Sequence, residues 1–344
     1  MDHSSQIKNL RVAVTGSVGT VGSEIVKQSL SLGAKEVRAL DNSETGLFFL
    51  EREFDDTRLK CFVTDIQNID HMNNFFKDVD VVFHCAAFKH VPSCEVHPRF
   101  AIENNILGTQ NVCDAAINCG VKRVLFTSSD KAVNPTNVMG TTKLMGERLV
   151  TAANTIMHND AGTIFASTRF GNVAGSNGSV ISLFTHLLKE GKDLTLTDPR
   201  MTRFMMTVQE SARLVMNSVF MAMGGEVFVT KMPVLKISDI AEEMIDMYAP
   251  EFGYDPKDIN VKTIGIRTGE KLYEELMTSE ELPRSWERRE LFAILPAFRN
   301  IYSDIDYSIH EERGKLADRV YNSDEEPVLD RAGVREFLKN VELQ

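Results

Sequence analysis

Residues 129–143 hold side chains that could transfer protons, at a spacing that brings them together. Ser129, Asp130 and Lys131 are consecutive, and an aspartate beside a lysine can serve as an acid and a base. Met139 and Lys143 are four positions apart, so on a helix they share a face. In a tyrosine–lysine pair at this spacing, the ammonium lowers the pKa of the phenol, and the phenolate takes a proton from a hydroxyl group. Methionine occupies the tyrosine position here and cannot transfer a proton.

A glycine-rich turn follows the first apolar segment, residues 10–14, which predicts a buried strand. Gly16 can take a positive φ, Gly19 lets the backbone approach a pyrophosphate, and Gly22 allows close helix packing. The N-terminus of the following helix attracts phosphate charge. Outside this strand–turn–helix context, the glycines could simply tighten a turn. The predicted dinucleotide-binding residues are Thr15, Gly16, Ser17, Val18, Gly19, Thr20, Val21 and Gly22.

Acidic residues follow the next two predicted strands. Asp41 lies roughly 20 residues beyond the glycines, where a carboxylate accepts hydrogen bonds from the adenosine ribose. Because it would repel a 2′-phosphate, NAD is favoured, although Arg38 nearby keeps NADP possible. Alternatively, Asp41 could cap the helix that follows. Asp65, followed by Ile66, is predicted near the adenine amine, but it could equally be a turn residue.

The order of strand and helix patterns predicts a doubly wound α/β fold, with a Rossmann-type parallel sheet and a smaller C-terminal substrate-binding lobe. Helices are expected over about residues 100–118 and 141–157, and residues 171–179 are expected to form a long glycine-rich loop. We place the NAD-binding domain with the catalytic segment at residues 1–170. Residues 171–344 would form mainly the lobe, with some segments returning to the sheet, and residues 242–258 would be a helix and loop.

Composition fits a cytoplasmic enzyme. A chain of 344 residues with 43% apolar content can fill a large core. The net charge of −11 argues against nucleic acid or anionic membranes as partners. The five cysteines have no zinc or redox spacing, and the histidines form no zinc pattern, so we expect reduced thiols and no metal. No signal sequence is apparent, and no apolar run is long enough to span a bilayer.

Six motifs together resemble one family. They are the turn at residues 15–22, AAFKHVP at 86–92, SDKAVNP at 129–135, GNV at 171–173, DPRMTRF at 198–204 and GIRTGEKL at 265–272. In these motifs the chain resembles the extended short-chain dehydrogenase/reductases, and within them the UDP-N-acetylglucosamine 4,6-dehydratases of bacterial surface-glycan pathways. Many such relatives carry an N-terminal transmembrane region and an additional nucleotide-binding domain. Neither is apparent in this sequence, so we expect a free-standing soluble member.

The resemblance implies an internal redox cycle on a UDP-linked amino sugar, with oxidation at C4, loss of water across C5 and C6, and hydride return to C6. It implies that Asp130 protonates the departing hydroxyl, that Lys131 is the C5 base, and that Ser129 holds the C4 oxygen. Lys143 would bond the nicotinamide ribose. The C4 base stays open between Ser129, Asp130, Lys131 and an ordered water. Members with methionine at the position of Met139 resemble the branch that retains the C5 configuration.

The resemblance also implies further contacts and an assembly of two or more copies of the chain. Ala86 and Ala87 are assigned to the cofactor site. The residues assigned to the substrate, its nucleotide or its diphosphate are Lys89, Asn172, Ser179, Arg203, Arg267 and Glu270. An arginine fork matches phosphate oxygens.

Other functions and roles fit parts of the pattern. A nucleotide-sugar C4 or C5 epimerase with bound NAD would use the same turn, although Asp130 and Lys131 suit water elimination better. The missing tyrosine also fits a catalytically silent NAD-binding regulator. Taken alone, Lys143 could be a solvated helix lysine, and Asp130 with Lys131 could be an exposed ion pair of little energetic value.

Overall fold

The computed structural model describes residues 3–155, 162–176, 178–266, 270–298, 301–302 and 305–342. These form two compact units. The first comprises Met1–Arg169, Ala212–Lys231 and Met277–Val320, and the second comprises Phe170–Ser211, Met232–Leu276 and Tyr321–Gln344. Two later stretches of the chain thus return to the unit that holds the N-terminal half.

The strands are short, as expected of a sheet built from many crossovers. They are β1 Arg11–Thr15, β2 Glu36–Asp41, β3 Leu59–Val63, β4 Val81–His84, β5 Arg123–Thr127, β6 Ile164–Arg169, β7 Asn172–Val173, β8 Leu194–Leu196, β9 Thr202–Met206, β10 Val227–Thr230, β11 Val234–Lys236, β12 Val261–Thr263, β13 Ser285–Glu287, β14 Leu291–Ile294 and β15 Lys315–Leu316.

Helices follow most of the early strands. They are α1 Thr20–Ser31, α2 Glu44–Phe54, α3 Ile69–Phe75, α4 Val91–Val96, α5 Pro98–Ile102, α6 Gly108–Asn118, α7 Val138–Ala152, α8 Val180–Lys189, α9 Val208–Met221, α10 Ile237–Tyr248, α11 Ser308–Glu312 and α12 Arg331–Lys339.

The first unit is built on one sheet, in the order β15-β13-β14-β10-β6-β5-β4-β1-β2-β3. From β3 to β10 the neighbouring strands are parallel, and β14, β13 and β15 are antiparallel additions. All four residues of β4 are buried, because helices cover both faces of a parallel sheet. The strand order reverses at β1 and β4, and ligands bind at the carboxyl ends of the strands at such a point. The predicted doubly wound, Rossmann-type fold is confirmed.

The second unit has its own apolar core and two small sheets, β11-β9-β7 and β12-β8. The core side chains come largely from α8, α10 and α12. Residues 171–179, expected to form a loop throughout, include the short strand β7, which pairs with β9. The pairing is only two residues long, Asn172 with Met205 and Val173 with Met206, which is too short to show in sequence periodicity.

Three predicted helices differ from the structure. The one expected over residues 100–118 contains a π-helical turn, Glu103–Leu107, between α5 and α6. The one expected from residue 141 begins at Val138, because the Asn137 side chain accepts a hydrogen bond from the backbone N–H of Gly140 and caps it there. The acidic helix expected from residue 242 begins at Ile237, where the apolar face already starts.

Candidate active site

The glycine turn connects β1 to α1 and packs against the end of β4. Gly16 has φ of +68°, and a Cβ there would lie 2.6 Å from the backbone nitrogen of Ala86. A Cβ on Gly22 would lie 2.1 Å from the carbonyl oxygen of Gly16. Side chains at either position would therefore force the turn open. The structure brings this turn and the Ala86 backbone together, as a dinucleotide site requires.

Asp41 ends β2 beside the same turn. One carboxylate oxygen accepts a hydrogen bond from the backbone N–H of Val18 at 3.1 Å, and the other accepts one from Ser43 at 3.0 Å. The cap of α2 is Ser43, whose hydroxyl accepts from the Gly46 N–H. The alternative role of Asp41 as the helix cap is therefore wrong, and its carboxylate instead ties the second strand to the glycine turn.

Asp65 and Ile66 follow β3. The Asp65 carboxylate accepts a hydrogen bond from the backbone N–H of Gln67 at 2.9 Å, so this residue closes a turn, as the alternative interpretation stated. Ile66 is buried, and its side chain would lie 2.6 Å from a Cβ on Gly108, at the start of α6. An adenine contact by Asp65 stays a prediction.

The segment Ser129, Asp130 and Lys131 begins directly after β5. Ser129 donates a hydrogen bond from its hydroxyl to the Asp130 carboxylate at 2.5 Å, and the Lys131 Nζ lies 3.0 and 3.2 Å from the two oxygens of the same carboxylate. Asp130 is only 5% exposed, whereas the Lys131 side chain is 33% exposed. A buried carboxylate contacted from both sides is unlike an exposed surface ion pair, so that alternative is wrong for Asp130.

Met139 does not stand in for a tyrosine hydroxyl. Its buried side chain packs in an apolar cluster with Cys94 and Ala101, from α4 and α5. Gly140 follows it, and a Cβ there would lie 2.1 Å from the Lys131 carbonyl oxygen. The start of α7 thus lies directly against the backbone of the Asp130–Lys131 turn.

Lys143 is buried one helical turn later. Its ammonium donates to the carbonyl oxygen of Thr127 at 2.9 Å and lies 4.7 Å from the centre of the Phe126 ring. Burial lowers the pKa of Lys143 to about 8, and the electrostatic influence of the neighbouring Cys85 and Glu147 opposes the shift. The alternative of a solvated helix lysine is wrong. Lys143 holds its ammonium at the carboxyl end of β5, the strand that the predicted acid and base follow.

Lys89 lies on the segment that follows β4. The residue is exposed, yet desolvation lowers the pKa of its ammonium. Its neighbour Phe88 is held at both backbone groups by Asn105. The Asn105 amide accepts from the Phe88 N–H at 2.8 Å and donates to the Phe88 carbonyl at 3.0 Å and to the Thr142 hydroxyl at 2.9 Å. Asn105 is not among the site residues predicted from the sequence. The available signal was the pair of asparagines at positions 104 and 105, inside the helical pattern of residues 100–118.

A buried histidine fixes the ends of β1 and β4. His84 lies 2.7 Å from the Thr15 hydroxyl through Nδ1 and 3.0 Å from the Thr109 hydroxyl through Nε2. Because Thr109 donates its proton to the Asn105 carbonyl, it must accept from Nε2–H, and Thr15 then donates to Nδ1. Burial lowers the pKa of His84 to about 3, with the Lys143 charge adding to the effect. His84 is therefore a neutral connector.

The other predicted substrate residues lie in the second unit. The Asn172 amide donates to both oxygens of the buried Glu274 at 2.9 and 3.0 Å, and Arg203 contacts the same carboxylate at 3.3 Å. Ser179 caps α8, and Glu270 is half-buried. Arg267 lies outside the described residues. The structure brings Asn172 and Arg203 together, and their contacts with substrate stay predictions.

Metal clusters and membrane-spanning helices are both absent from the described residues. No three histidine, cysteine or acidic side chains in this part of the chain are grouped as a metal site would require. Among the same residues, no helix is both long and apolar enough to cross a membrane.

Residues 12–296 match the family described as polysaccharide biosynthesis protein. The chain belongs to this family. The resemblance predicted from the motifs is thereby confirmed, and it extends over β1 to β14.

Relatives match most of the length of this family member. It is 41% identical over 340 residues to the uncharacterized membrane protein MJ1061 of Methanocaldococcus jannaschii, covering 99% of this chain and 98% of the relative. It is 36% identical over 323 residues to the UDP-N-acetylglucosamine 4,6-dehydratase (inverting) of Campylobacter jejuni, covering 92% and 93%. It is 38% identical over 285 residues to the UDP-glucose 4-epimerase of Rickettsia massiliae, covering 82% and 81%. The X-ray structure of Pen from Bacillus thuringiensis aligns with a TM-score of 0.89 at 38% identity, over 98% of this chain and 99% of that chain.

Proposed function

We propose that the protein is an NAD-dependent 4,6-dehydratase that converts UDP-N-acetylglucosamine to a UDP-4-keto-6-deoxy-N-acetylhexosamine, with retention at C5. One observation carries the proposal: the buried Asp130 carboxylate contacts both the Ser129 hydroxyl and the Lys131 ammonium, at the carboxyl end of β5. An acid and a base side by side are what elimination of water requires. The similarity to a UDP-N-acetylglucosamine 4,6-dehydratase supports the dehydration. That relative is an inverting enzyme, so retention at C5 rests on Met139 and on the proton transfers assigned below.

The residues around the glycine turn fit NAD. The Ser17 hydroxyl is buried in the turn, and the described residues offer it no hydrogen-bond partner, so a pyrophosphate oxygen would satisfy it. Asp41 places a carboxylate beside Val18, where a 2′-phosphate would be repelled. Bound NAD would supply the hydride acceptor for C4 and return the hydride to C6.

The proton transfers can be assigned to the chain's own residues. As C4 is oxidised, its hydroxyl proton passes through the Ser129 hydroxyl to the Asp130 carboxylate, along the 2.5 Å hydrogen bond. Lys131 enters the cycle as the neutral amine, after it has lost one proton to solvent, and takes the C5 proton. Asp130 then protonates the C6 hydroxyl, which leaves as water. Lys131 returns its proton to the same face of C5. The substrate loses one water, and both side chains regain their starting protonation.

This scheme gives Met139 a passive role. Because Ser129 and Asp130 carry the proton of the C4 hydroxyl, the scheme needs no tyrosine phenol at the position of Met139. The methionine side chain packs with Cys94 of α4 and Ala101 of α5 instead. Lys143 keeps the role of a charged donor toward the nicotinamide ribose.

Replacing Lys131 tests the assignment of the base. Lys131→Ala should abolish both product formation and exchange of the C5 proton with solvent, while NAD stays bound. Lys122→Ala is the matched control, since Lys122 forms an exposed pair with Asp80 and should leave the rate unchanged. Normal turnover in Lys131→Ala would show that another group removes the C5 proton.

A C4 epimerase is the second candidate, supported by the similarity to a UDP-glucose 4-epimerase. Such an enzyme would use Ser129 and the cofactor turn but would not need Asp130 to expel water. Mass spectrometry of the product separates the two candidates, because dehydration removes one water and epimerisation leaves the mass unchanged.

A further inference from the structure

A network of buried hydrogen bonds lies beneath the catalytic turn, and its residues take no part in the proton transfers described above. The Ser128 hydroxyl donates to one oxygen of Glu147 at 2.6 Å. Arg169 donates to both oxygens of Glu147, at 2.8 and 2.7 Å, and to both oxygens of Glu281, at 2.9 and 2.8 Å. All four residues are buried, and Arg169 is 1% exposed.

The ionisation states of the residues in this hydrogen-bond network follow from the contacts between them. Burial alone would lower the pKa of Arg169, but the carboxylates of Glu147 and Glu281 raise it above its ordinary value. Burial alone would raise the pKa of Glu281, but the Arg169 guanidinium lowers it to about 2. The guanidinium and the Glu281 carboxylate are therefore ionised at neutral pH. Buried ion pairs add little stability over apolar residues of the same volume, so their presence under a functional turn points to positioning.

Glu147 joins three elements at one carboxylate. It lies on α7, one turn beyond Lys143, and so shares a helix face with it. Through Ser128 it holds the end of β5, and through Arg169 it holds the end of β6. The backbone N–H of Ser128 also donates to the Thr168 carbonyl at 2.7 Å, which aligns the two strand ends.

We propose that Glu147 is a positioning residue that acts through Ser128 to hold the Ser129–Asp130–Lys131 turn in place against the start of α7. The proposal rests on the proposed function in one respect, because it takes that turn as the catalytic one. Ser128 immediately precedes the turn, and a single hydroxyl joins it to a carboxylate whose own place is fixed by the guanidinium of Arg169. Loss of either partner should loosen the turn without removing an acid or a base.

A double-mutant cycle tests this coupling. Ser128→Ala, Glu147→Gln and the double variant are compared in kcat and KM for whichever reaction the wild type catalyses. We expect Ser128→Ala to lower kcat about tenfold or more, since small displacements of reacting groups are costly, while KM changes less than about twofold. The double variant should be no slower than Glu147→Gln, because residues that act as one unit are not additive. Independent, multiplying losses would overturn the proposal.

Hydrogen exchange gives a readout that does not depend on activity. The turn contains the backbone hydrogen bonds from Ala132 to Ser129 and from Val133 to Asp130. Amides in a peptide covering residues 129–133 should exchange faster in Ser128→Ala and Glu147→Gln than in the wild type. Product analysis then tests the proposed function separately.

Ser218→Ala is the matched control, because Ser218 is a buried serine of α9 whose hydroxyl has no partner among the described residues. It should keep wild-type kcat and exchange. If Glu147→Gln fails to fold, Ser128→Ala against this control decides. Wild-type exchange and wild-type kcat in Ser128→Ala would refute the positioning role.

Discussion

Gly140→Ala should inactivate the enzyme while leaving its fold and cofactor in place. A Cβ at this position would lie 2.1 Å from the carbonyl oxygen of Lys131 and 3.0 Å from its carbonyl carbon. The ordinary separation of carbon and oxygen in such contacts is about 3.3 Å, so the helix start and the turn must move apart by about 1 Å. Both contacting groups are backbone, and no side chain can swing away to relieve the clash.

The expected size of the effect follows from that displacement. A misplacement of about 1 Å can cost about 100-fold in rate, and we expect kcat to fall by about that factor. Overpacking costs about 1–3 kcal/mol of unfolding free energy. The better helix propensity of alanine offsets about 1 kcal/mol of this cost, so the variant should stay folded.

The assay compares kcat, NAD content and the free energy of unfolding in denaturant. Gly314→Ala serves as the control, because its Cβ would also meet a backbone carbonyl, that of Glu287 at 2.8 Å, but beside the edge strand β15. The control should lose stability and keep kcat. A Gly140→Ala variant with wild-type kcat would refute the claim that this close approach positions the turn, and so would an equal loss of kcat in the control.

Two further predictions concern the cofactor site. Asp41→Asn should lower the preference for NAD over NADP by about tenfold, because it removes the charge that repels a 2′-phosphate while keeping an acceptor for Ser43, and titration of both dinucleotides checks this. An unchanged ratio would show that another group sets the preference. The rate should fall as pH rises through about 8. Burial lowers the pKa of Lys143 to about 8, so above that pH the side chain becomes a neutral amine and no longer presents a positive charge to the ribose. A pH–rate profile that stays flat to about pH 10, the ordinary value for lysine, would contradict that role.

The first half of the chain was largely predictable because its signals are local. The apolar run at residues 10–14 predicts β1 within one residue, and the glycine spacing identifies the turn after it. Asp41 and Asp65 mark the ends of the next two strands, β2 and β3. The parallel order of these strands follows from the helices between them. The antiparallel strands β13, β14 and β15 were not predicted, because short strands that join a sheet late carry no crossover pattern.

Details of the site depended on contacts distant in sequence. Asp41 and Ser43 both suit a helix cap, and only the position of Val18 decides that Ser43 caps while Asp41 faces the glycine turn. The π-helical turn at Glu103–Leu107 aims Asn105 at the backbone of Phe88, 17 residues away in the chain. Helical periodicity does not show such a turn.

The buried network of Ser128, Glu147, Arg169 and Glu281 shows most clearly how the site depends on contacts between residues distant in sequence. Glu147 and Arg169 are 22 positions apart, and Arg169 and Glu281 are 112 apart. Charged residues in helices and strand ends are ordinarily solvated, so nothing local marks these three as buried partners. Only the return of residues 277–320 to the first unit brings Glu281 to Arg169.

The most direct test of the central claim is proton NMR of the purified protein with UDP-N-acetylglucosamine in deuterated water. The account predicts a new C6 methyl signal, a 4-keto product and deuterium at C5 with the original configuration. No methyl signal from this or any other nucleotide sugar, with NAD shown to be bound, would contradict the dehydratase assignment. An inverted C5 would instead contradict the proposal that Lys131 removes and returns the proton on one face.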